Sequence, residues 1–251
     1  MILRTLCLTS ALALFSAGAA NANSYSGPVA PFGNGTAHLV LLTDSQNKPT
    51  SLSLVLDQGA LTGLPPNDKK DGSEWEYLVE MPPGPATGID HVTIDWNPHG
   101  HIPPGIYTVP HFDFHFYMID RKHQLAVAFP KQDKDPAARV TNRMIVAPGY
   151  EVVPMTAADR MGVHAINPAS PEFHGKPFTA TFIYGYYNGR LTFLEPMITR
   201  AFLLSHPDVS FPIPTPSKYS YPGYYPTRYV VRYAPAHHNY VIELTGFKHF
   251  N

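Results

Sequence analysis

Four histidines and one aspartate are concentrated in residues 96–117, a stretch with the sequence WNPHGHIPPGIYTVPHFDFHFY. They are His99, His101, Asp113, His111 and His115. Imidazole and carboxylate groups together are common ligands of transition metals. An ordinary core strand does not need so many imidazoles, so this stretch predicts a site for a metal or a polar ligand.

The spacing of these residues limits which of them can share an ion. Alternation over residues 111–117 predicts a strand with His111, Asp113 and His115 on one face and three phenylalanines on the other. Residues i and i+4 of a strand lie about 13 Å apart, because each residue advances about 3.3 Å. His111 and His115 therefore cannot bind one ion on a regular strand, whereas residues two positions apart can. A bulge or one helical turn would restore a shared site, and the alternating phenylalanines argue against the turn.

A further candidate ligand, Glu195, lies on a predicted hairpin over residues 178–199. The Asn188-Gly189 pair predicts a two-residue type I′ turn, because both turn positions need positive φ. This turn predicts four pairs: Tyr187 with Arg190, Tyr186 with Leu191, Tyr184 with Phe193, and Phe182 with Glu195. Glu195 would then share a face with aromatic side chains, where a buried carboxylate needs a metal, an arginine or a bound ligand. The alternative is that Glu195, next to Pro196, lies beyond the packed region.

The remaining sequence predicts an all-β fold, a single antiparallel β-sandwich or distorted barrel with long Pro-rich loops. Strands are predicted at residues 36–43, 51–56, 74–81, 89–96, 229–233 and 240–245. The chain has 27 prolines, 15 tyrosines and 14 phenylalanines in 251 residues, a mixture that favours short strands and rigid loops over helices. Residues 205–227 predict a Pro- and Tyr-rich arm that wraps the domain or a neighbouring subunit, or stacks sugars.

Residues 1–22 have the pattern of a signal peptide, with Arg4, a short apolar run and the cleavage motif Ala20-Asn21-Ala22. The apolar run is shorter than the roughly 20 residues that span a bilayer, so no transmembrane segment is predicted. We expect residues 23–251 to form a single β-rich domain that is exported, either periplasmic or secreted. Cys7 is the only cysteine, so the mature chain has no disulfide, which favours a bacterial source.

The charge pattern and the motif content exclude several function classes. The formal net charge is −1 and no lysine-arginine cluster occurs, so nucleic-acid binding has no electrostatic basis. The sequence contains no GxGxxG, P-loop, HExxH or GxSxG motif.

The chain resembles a family of exported proteins of unknown activity. The shared motifs are PHGHxPPGxYxxPHFDFHFY at 98–117, MGxH at 161–164, and PEF, FTxTFIYGxYxG and TFxEPMIT within 171–199. That family is similar to a thermophile protein under sigma/anti-sigma control that assembles as a ring-like homo-oligomer. The resemblance implies a β-rich fold and a homo-oligomer, and it supports His164, in a predicted loop, as a candidate ligand.

The first hypothesis for function is an exported metal-binding protein, with a metal-dependent enzyme as its stronger form. Its ligand pool is His101, His111, His115, His164 and Glu195, with His99 and Asp113 as further ligands or as partners of ligands. Three histidines and a carboxylate suit Zn, Mn, Fe, Ni or Cu. An open coordination position would let the ion act on a small-molecule substrate.

The second hypothesis is a non-catalytic binding or assembly module of the cell envelope. In that case the histidines form a structural polar network, and the aromatic surfaces contact other subunits or a glycan. A third hypothesis, a glycoside hydrolase, has carboxylates available at Asp95, Asp113, Glu172 and Glu195. It is weaker, because the sequence fixes no separation between any two of them.

Overall fold

The computed structural model describes residues 23–70 and 75–250, in which antiparallel strands are the main regular elements. The first eight strands are β1 (Asn23–Ser26), β2 (Ala30–Phe32), β3 (Gly35–Thr43), β4 (Pro49–Leu56), β5 (Trp75–Glu80), β6 (His91–Asn97), β7 (His111–Tyr117) and β8 (Glu151–Ala158). The others are β9 (Gly162–Ile166), β10 (Ala180–Tyr187), β11 (Arg190–Thr199), β12 (Asp208–Pro212), β13 (Gly223–Tyr225), β14 (Arg228–Ala234), β15 (Asn239–Thr245) and β16 (Lys248–Phe250). Helices α1 (Arg121–Leu125) and α2 (Arg200–Leu204) are short, and single 3₁₀ turns occur at Gln132–Lys134, Pro136–Ala138, Arg143–Ile145 and Pro171–His174.

Two antiparallel sheets pack face to face. Sheet I has the order β1-β3-β4-β15-β14-β12, with β2 paired to β3, and sheet II has the order β5-β6-β7-β11-β10-β9-β8. A small third sheet joins β13 to β16. The prediction of an antiparallel β-sandwich is confirmed, and neither large sheet closes into a barrel within the described residues.

Strand β7 is an interior strand of sheet II, between β6 and β11, and is buried on both faces. Its phenylalanines, Phe112, Phe114 and Phe116, are fully buried in the core between the sheets, against leucines of β3 and β4. Burial of each phenylalanine contributes about 2–3 kcal/mol. The predicted alternation is confirmed, and it directs the polar side chains of β7 to the outer face of sheet II, the face turned away from sheet I.

The hairpin of β10 and β11 departs from the predicted register because β11 contains a bulge. Tyr187 pairs with Arg190 and Tyr186 with Leu191, as predicted, but the next pairs are Gly185 with Phe193 and Ile183 with Glu195. The predicted pairing of Tyr184 with Phe193 and of Phe182 with Glu195 is therefore wrong by one residue. A one-residue shift exchanges the two faces of a strand, so Phe193 and Glu195 lie on the outer face of sheet II.

The bulge depends on a glycine in the neighbouring strand. A Cβ atom on Gly185 would overlap the ring of Phe193, which occupies the space above that glycine. Phe193 is fully buried there and packs with Tyr117 and Met161 in a small apolar cluster separate from the main core. Gly185 thus lets an aromatic ring lie on the outer face beside the polar residues.

His164 differs from the sequence prediction, and the Pro- and Tyr-rich segment agrees with one of the predicted alternatives. His164 lies in strand β9, not in a loop. The Pro- and Tyr-rich segment 205–227 contributes β12 to sheet I and β13 to the small sheet, and its Tyr219 stacks on Tyr225 at 3.7 Å between ring centroids. This segment therefore packs against its own chain.

The predicted signal peptide, residues 1–22, lies outside the described residues. Over the part of the chain that the structure describes, no helix has both the length and the apolar character needed to cross a membrane.

Replacing Gly185 with alanine should destabilise the fold by about 1–3 kcal/mol, because the added methyl group displaces the Phe193 ring from a packed position. Urea denaturation followed by tyrosine fluorescence measures this change. Gly223→Ala is the matched control, since the nearest atom to its added Cβ is 3.4 Å away, and it should change the free energy of unfolding by less than about 1 kcal/mol. Equal effects of the two substitutions would refute the role given to Gly185.

Candidate metal centre

Polar side chains on the outer face of sheet II are almost completely buried. The exposed fraction is 3% or less for Asp95 on β6, for all three polar residues of β7 and for Glu195 on β11. The three residues of β7 are His111, Asp113 and His115. Lysine, aspartate and glutamate are rarely buried without a partner, so this concentration of buried ionisable groups needs a specific explanation.

The register of the central strands brings these residues together. Asp95 pairs with Asp113 across β6 and β7. Between β7 and β11, the pairs Phe116 with Leu194 and Asp113 with Met197 place Glu195 opposite His115. The bulge in β11 is essential to this arrangement, because the predicted register would have directed Glu195 into the sandwich core.

One group of candidate ligands consists of His115, His164 and Glu195, here called the Glu195 cluster. One ligand atom from each of the three residues lies within 4.8 Å of the others. Glu195 Oε2 is 3.7 Å from His115 Nε2 and 3.9 Å from His164 Nε2.

A second group consists of His101, His111 and Asp113, here called the Asp113 cluster, and its ligand atoms meet the same 4.8 Å criterion. His111 Nε2 is 3.2 Å from Asp113 Oδ1, and His101 Nε2 is 3.4 Å from Asp113 Oδ2. The Asn97 side-chain amide donates a 2.8 Å hydrogen bond to Asp113 Oδ2.

The structure thus distributes the five predicted ligands over two clusters and adds Asp113 to one of them. His111 and His115 fall in different clusters, in agreement with the strand-spacing argument. His99 joins neither cluster: its side chain is 60% exposed and its Nδ1 lies 3.2 Å from Asp68 Oδ2 at the surface.

Three of the four histidines are oriented in the same way. Each uses Nδ1 to contact a backbone carbonyl oxygen, which can only accept a hydrogen bond, so Nδ1 carries the hydrogen and Nε2 faces the site. The partners are Ile102 O for His101 (2.7 Å), Val109 O for His111 (2.7 Å) and Thr156 O for His164 (2.8 Å). Metal-ligating histidines usually show this pattern.

The fourth histidine, His115, has a carboxylate in the place of the carbonyl. Its Nδ1 lies 3.1 Å from Asp95 Oδ2, although the two atoms are not aligned for a hydrogen bond. Its Nε2 points to Glu195. This order of carboxylate, imidazole and ligand position is typical of zinc sites.

An irregularity in β8 positions His164. Val153 pairs with His164 and Ala158 with Gly162, so residues 154–157 bulge out of the ladder. Thr156 lies in this bulge, where its carbonyl oxygen accepts from the His164 ring and its hydroxyl oxygen accepts from the His164 backbone N–H at 2.9 Å. The first contact orients the imidazole, and the second anchors the His164 backbone to the bulge.

The loop between β6 and β7 positions His101. Gly100 has φ +72°, and a Cβ atom there would overlap the Tyr107 carbonyl oxygen. That same oxygen accepts a 3.2 Å hydrogen bond from the His101 backbone N–H. The loop therefore closes tightly on itself and holds His101 over the outer face of sheet II.

Many polar atoms of the site have no hydrogen-bond partner. Among the described residues, 13 buried side-chain nitrogen or oxygen atoms are unpartnered, and seven of them belong to this site. They are both carboxylate oxygens of Asp95, His111 Nε2, Asp113 Oδ1, both ring nitrogens of His115, and Glu195 Oε2. Buried polar groups are normally paired, so the concentration of unpartnered atoms makes this place a candidate binding site.

The carboxylates also lack basic partners other than histidine. Among the described residues, no lysine or arginine forms an ion pair with Asp95, Asp113 or Glu195. Burial raises the pKa of Glu195 to about 8, although the positive charge of His115 opposes this shift. Burial likewise raises the pKa of Asp95 to about 6, although the positive charge of His115 opposes this shift.

The histidine pKa values diverge for the same electrostatic reasons. Burial disfavours the charged form of His115, but the negative charges of Glu195 and Asp95 outweigh it and raise the pKa to about 10. For His164, burial and the charge of His115 act in the same direction and lower the pKa to about 4. Burial would lower the pKa of His101, and Asp113 raises it instead to about 9. In metal-free protein, His101 and His115 therefore bind protons that a metal would displace.

Both clusters border a cavity of about 320 Å³. Its polar floor contains His101, Asp113 and the three residues of the Glu195 cluster, while its walls are mainly apolar. The wall residues include Ile102, Tyr107, Met155, Met161, Phe173 and Ile183. Ile102 and Met155 are 61% and 67% exposed, so the cavity has an apolar rim that a small molecule can reach.

Sequence reasoning missed several residues that shape this site. The alternation of β6 predicts the face on which Asp95 lies, which is also that of Thr93. The contact of Asp95 with His115 depends on the β6–β7 register, which the sequence does not give. Thr156 gave no signal, because its role depends on a bulge and on a backbone carbonyl. Gly185 was the one local indication of the β11 bulge, since glycine inside a strand often marks one.

Removing the Glu195 charge should change how stability depends on pH in protein stripped of metal with EDTA. The pKa of Glu195 is raised from 4.5 to about 8 in the folded state. The contribution of Glu195 protonation to the free energy of unfolding is therefore fully present below about pH 4.5 and is lost as pH rises through 8. His115, whose pKa is also raised, contributes with the same sign, and Glu195→Gln weakens that contribution too. The free energy of unfolding of the wild type should therefore fall relative to that of Glu195→Gln between pH 5 and pH 8.5.

Urea denaturation at these two pH values measures the difference, and one proton corresponds to at most about 1.4 kcal/mol per pH unit. Glu80→Gln, which removes an exposed carboxylate of β5, is the control, and the difference for Glu195→Gln should vary with pH more strongly than the difference for Glu80→Gln. A constant difference for Glu195→Gln would show that the Glu195 carboxyl is not perturbed by burial.

A family model for TTHB210-like proteins, described as hypothetical protein TTHB210, matches residues 44–96. The matched segment runs from the β3–β4 turn to β6; it contains Asp95 and ends before the histidine-rich motif. No curated protein and no solved structure matches the chain. The comparison therefore shows similarity, over about a fifth of the chain, to a family of unknown function.

Proposed function

We propose that this protein binds a divalent transition metal ion at the Glu195 cluster, through His115 Nε2, His164 Nε2 and a carboxylate oxygen of Glu195. The observation that carries the proposal is the orientation of the imidazoles: each directs Nε2 at the site while an oxygen atom faces Nδ1. Two nitrogen ligands and one oxygen ligand suit Zn, Mn, Fe, Ni or Cu.

The separations within the cluster fit an ion better than direct hydrogen bonds. The two Nε2–Oε2 distances, 3.7 and 3.9 Å, exceed the range of an N–H···O hydrogen bond, which ends near 3.2 Å. Ligands bound to one tetrahedral zinc ion at about 2.0–2.2 Å lie roughly 3.4 Å apart. A contraction of a few tenths of an ångström would therefore complete the coordination, whereas a structural polar network would leave Glu195 Oε2 unsatisfied.

Three protein ligands leave one position of a tetrahedral ion open, which is the arrangement of catalytic zinc sites. A bound ion of this kind would polarise a substrate carbonyl or activate water. We propose on this basis that the protein is a metal-dependent enzyme acting on a small molecule. The apolar walls of the cavity, including Phe173 and Met161, favour a substrate with an apolar body, and the rim at Ile102 and Met155 gives it access.

The direct test of the metal proposal is the metal content of protein prepared without a histidine tag. Wild-type protein should retain a transition metal after gel filtration, measured by inductively coupled plasma mass spectrometry. His164→Ala and Glu195→Ala should each lower the content by one ion per chain, because each removes one of three ligands. His237→Ala, at an exposed turn before β15, should leave the content unchanged.

Metal that survives both ligand substitutions at full stoichiometry would refute the Glu195 cluster as its site. A wild-type protein that binds no transition metal, yet forms a defined oligomer, would favour the non-catalytic assembly module.

We further propose that the protein is exported and assembles as a homo-oligomer. The signal-peptide pattern of residues 1–22, the absence of cysteine after Cys7 and the resemblance to an exported, oligomeric family support this proposal. Mass spectrometry of the exported protein should give an N-terminus near Asn23, and light scattering should give a mass of several chains. A retained leader would contradict export, and a monomer would contradict assembly.

A further inference from the structure

We infer that the Asp113 cluster, His101 with His111 and Asp113, binds a second divalent ion next to the first. This inference extends the proposed function, since the two ions would share one cavity floor. It assigns the six ligands to two ions instead of treating them as alternatives for one.

The Asp113 cluster repeats the composition of the Glu195 cluster, with two imidazoles and one carboxylate. His111 Nε2 lies 3.2 Å from Asp113 Oδ1 and His101 Nε2 lies 3.4 Å from Asp113 Oδ2, so each imidazole faces a different oxygen of one carboxylate, and one ligand atom from each residue lies within 4.8 Å of the others. Both imidazoles have Nδ1 bound to a backbone carbonyl oxygen. The two Nε2 atoms are therefore presented to the same carboxylate.

His111 provides an independent indication of a ligand. Its side chain is fully buried, and its Nε2 has no hydrogen-bond partner although Asp113 Oδ1, also unpartnered, is close by. Leaving a buried donor or acceptor unsatisfied costs about 1–3 kcal/mol. An ion between the two atoms would satisfy both at once.

The two clusters are close enough to form one centre. Asp113 and His115 are on the same face of β7, two residues apart, which corresponds to about 6.6 Å along the strand. His101, Asp113 and Glu195 border the same cavity. The carboxylates of Asp95, Asp113 and Glu195 have no lysine or arginine ion-pair partner among the described residues, and together they offset most of the charge of two divalent ions.

The test is the stoichiometry of zinc in the untagged mature chain, stripped with EDTA, reloaded with Zn²⁺ and desalted. Wild-type protein should hold two ions, His111→Ala one, His164→Ala one, and the double variant none. Asp113→Asn, which keeps the size and shape of the side chain, should also hold one ion and guards against misfolding of His111→Ala. Circular dichroism establishes that each variant is folded, and His237→Ala should still hold two ions.

Each other outcome decides against the second site. One ion in the wild type, lost in His164→Ala and retained in His111→Ala and Asp113→Asn, would overturn the second ion and leave the proposed function intact. One ion lost in all of these variants would mean a single ion shared by both clusters. No ion in the wild type would overturn the inference together with the proposed function. Two ions that both survive in His111→Ala and Asp113→Asn would place the second one elsewhere.

Discussion

The alternation of side chains along β7 is the constraint on which the rest of the structure depends. Three phenylalanines on one face fill the core between the sheets, and together they contribute roughly 6–9 kcal/mol to folding. A slip of one residue would place His111, Asp113 and His115 in that core and move all three rings to the polar outer face. The hydrophobic core therefore fixes the polar face of β7 more firmly than any contact within the polar cluster. The geometry of the candidate site is a consequence of packing on the opposite side of the sheet.

Much of this arrangement could be predicted from the sequence, because period-two alternation and the Asn188-Gly189 turn are strong local signals. They predict β7, the β10–β11 hairpin and the sandwich class. The bulge in β11 could not be predicted with the same certainty, since it depends on whether the Phe193 ring fits above Gly185. That one residue decides whether Glu195 faces the sandwich core or the histidines. The strand register predicted from the Asn188-Gly189 turn is therefore correct only up to the bulge in β11.

The division of the candidate ligands into two clusters has a similar origin. Strand spacing was enough to show that His111 and His115 do not meet on a regular strand. Which residues complete each cluster depends on long-range partners: His101 comes from a loop closed on Tyr107, and His164 from β9 under the bulge of β8. The backbone carbonyl oxygens that orient the imidazoles leave no trace in residue types, because every residue has one. These details follow only from the three-dimensional structure.

The buried polar face is hard to explain as a stabilising network. Replacing buried ion pairs by apolar groups is often neutral or stabilising, so such pairs are weak evidence of a structural role. Here the carboxylates of Asp95 and Glu195 are disfavoured by burial, as their raised pKa values show, and several of the nearest imidazole atoms lack hydrogen bonds. The Nε2 atoms of the four histidines already face the site, because an oxygen atom lies beside each Nδ1. The proposed ions would convert four of these unsatisfied atoms into ligands, namely His111 Nε2, Asp113 Oδ1, His115 Nε2 and Glu195 Oε2, so the groups that burial destabilises are those that would favour binding.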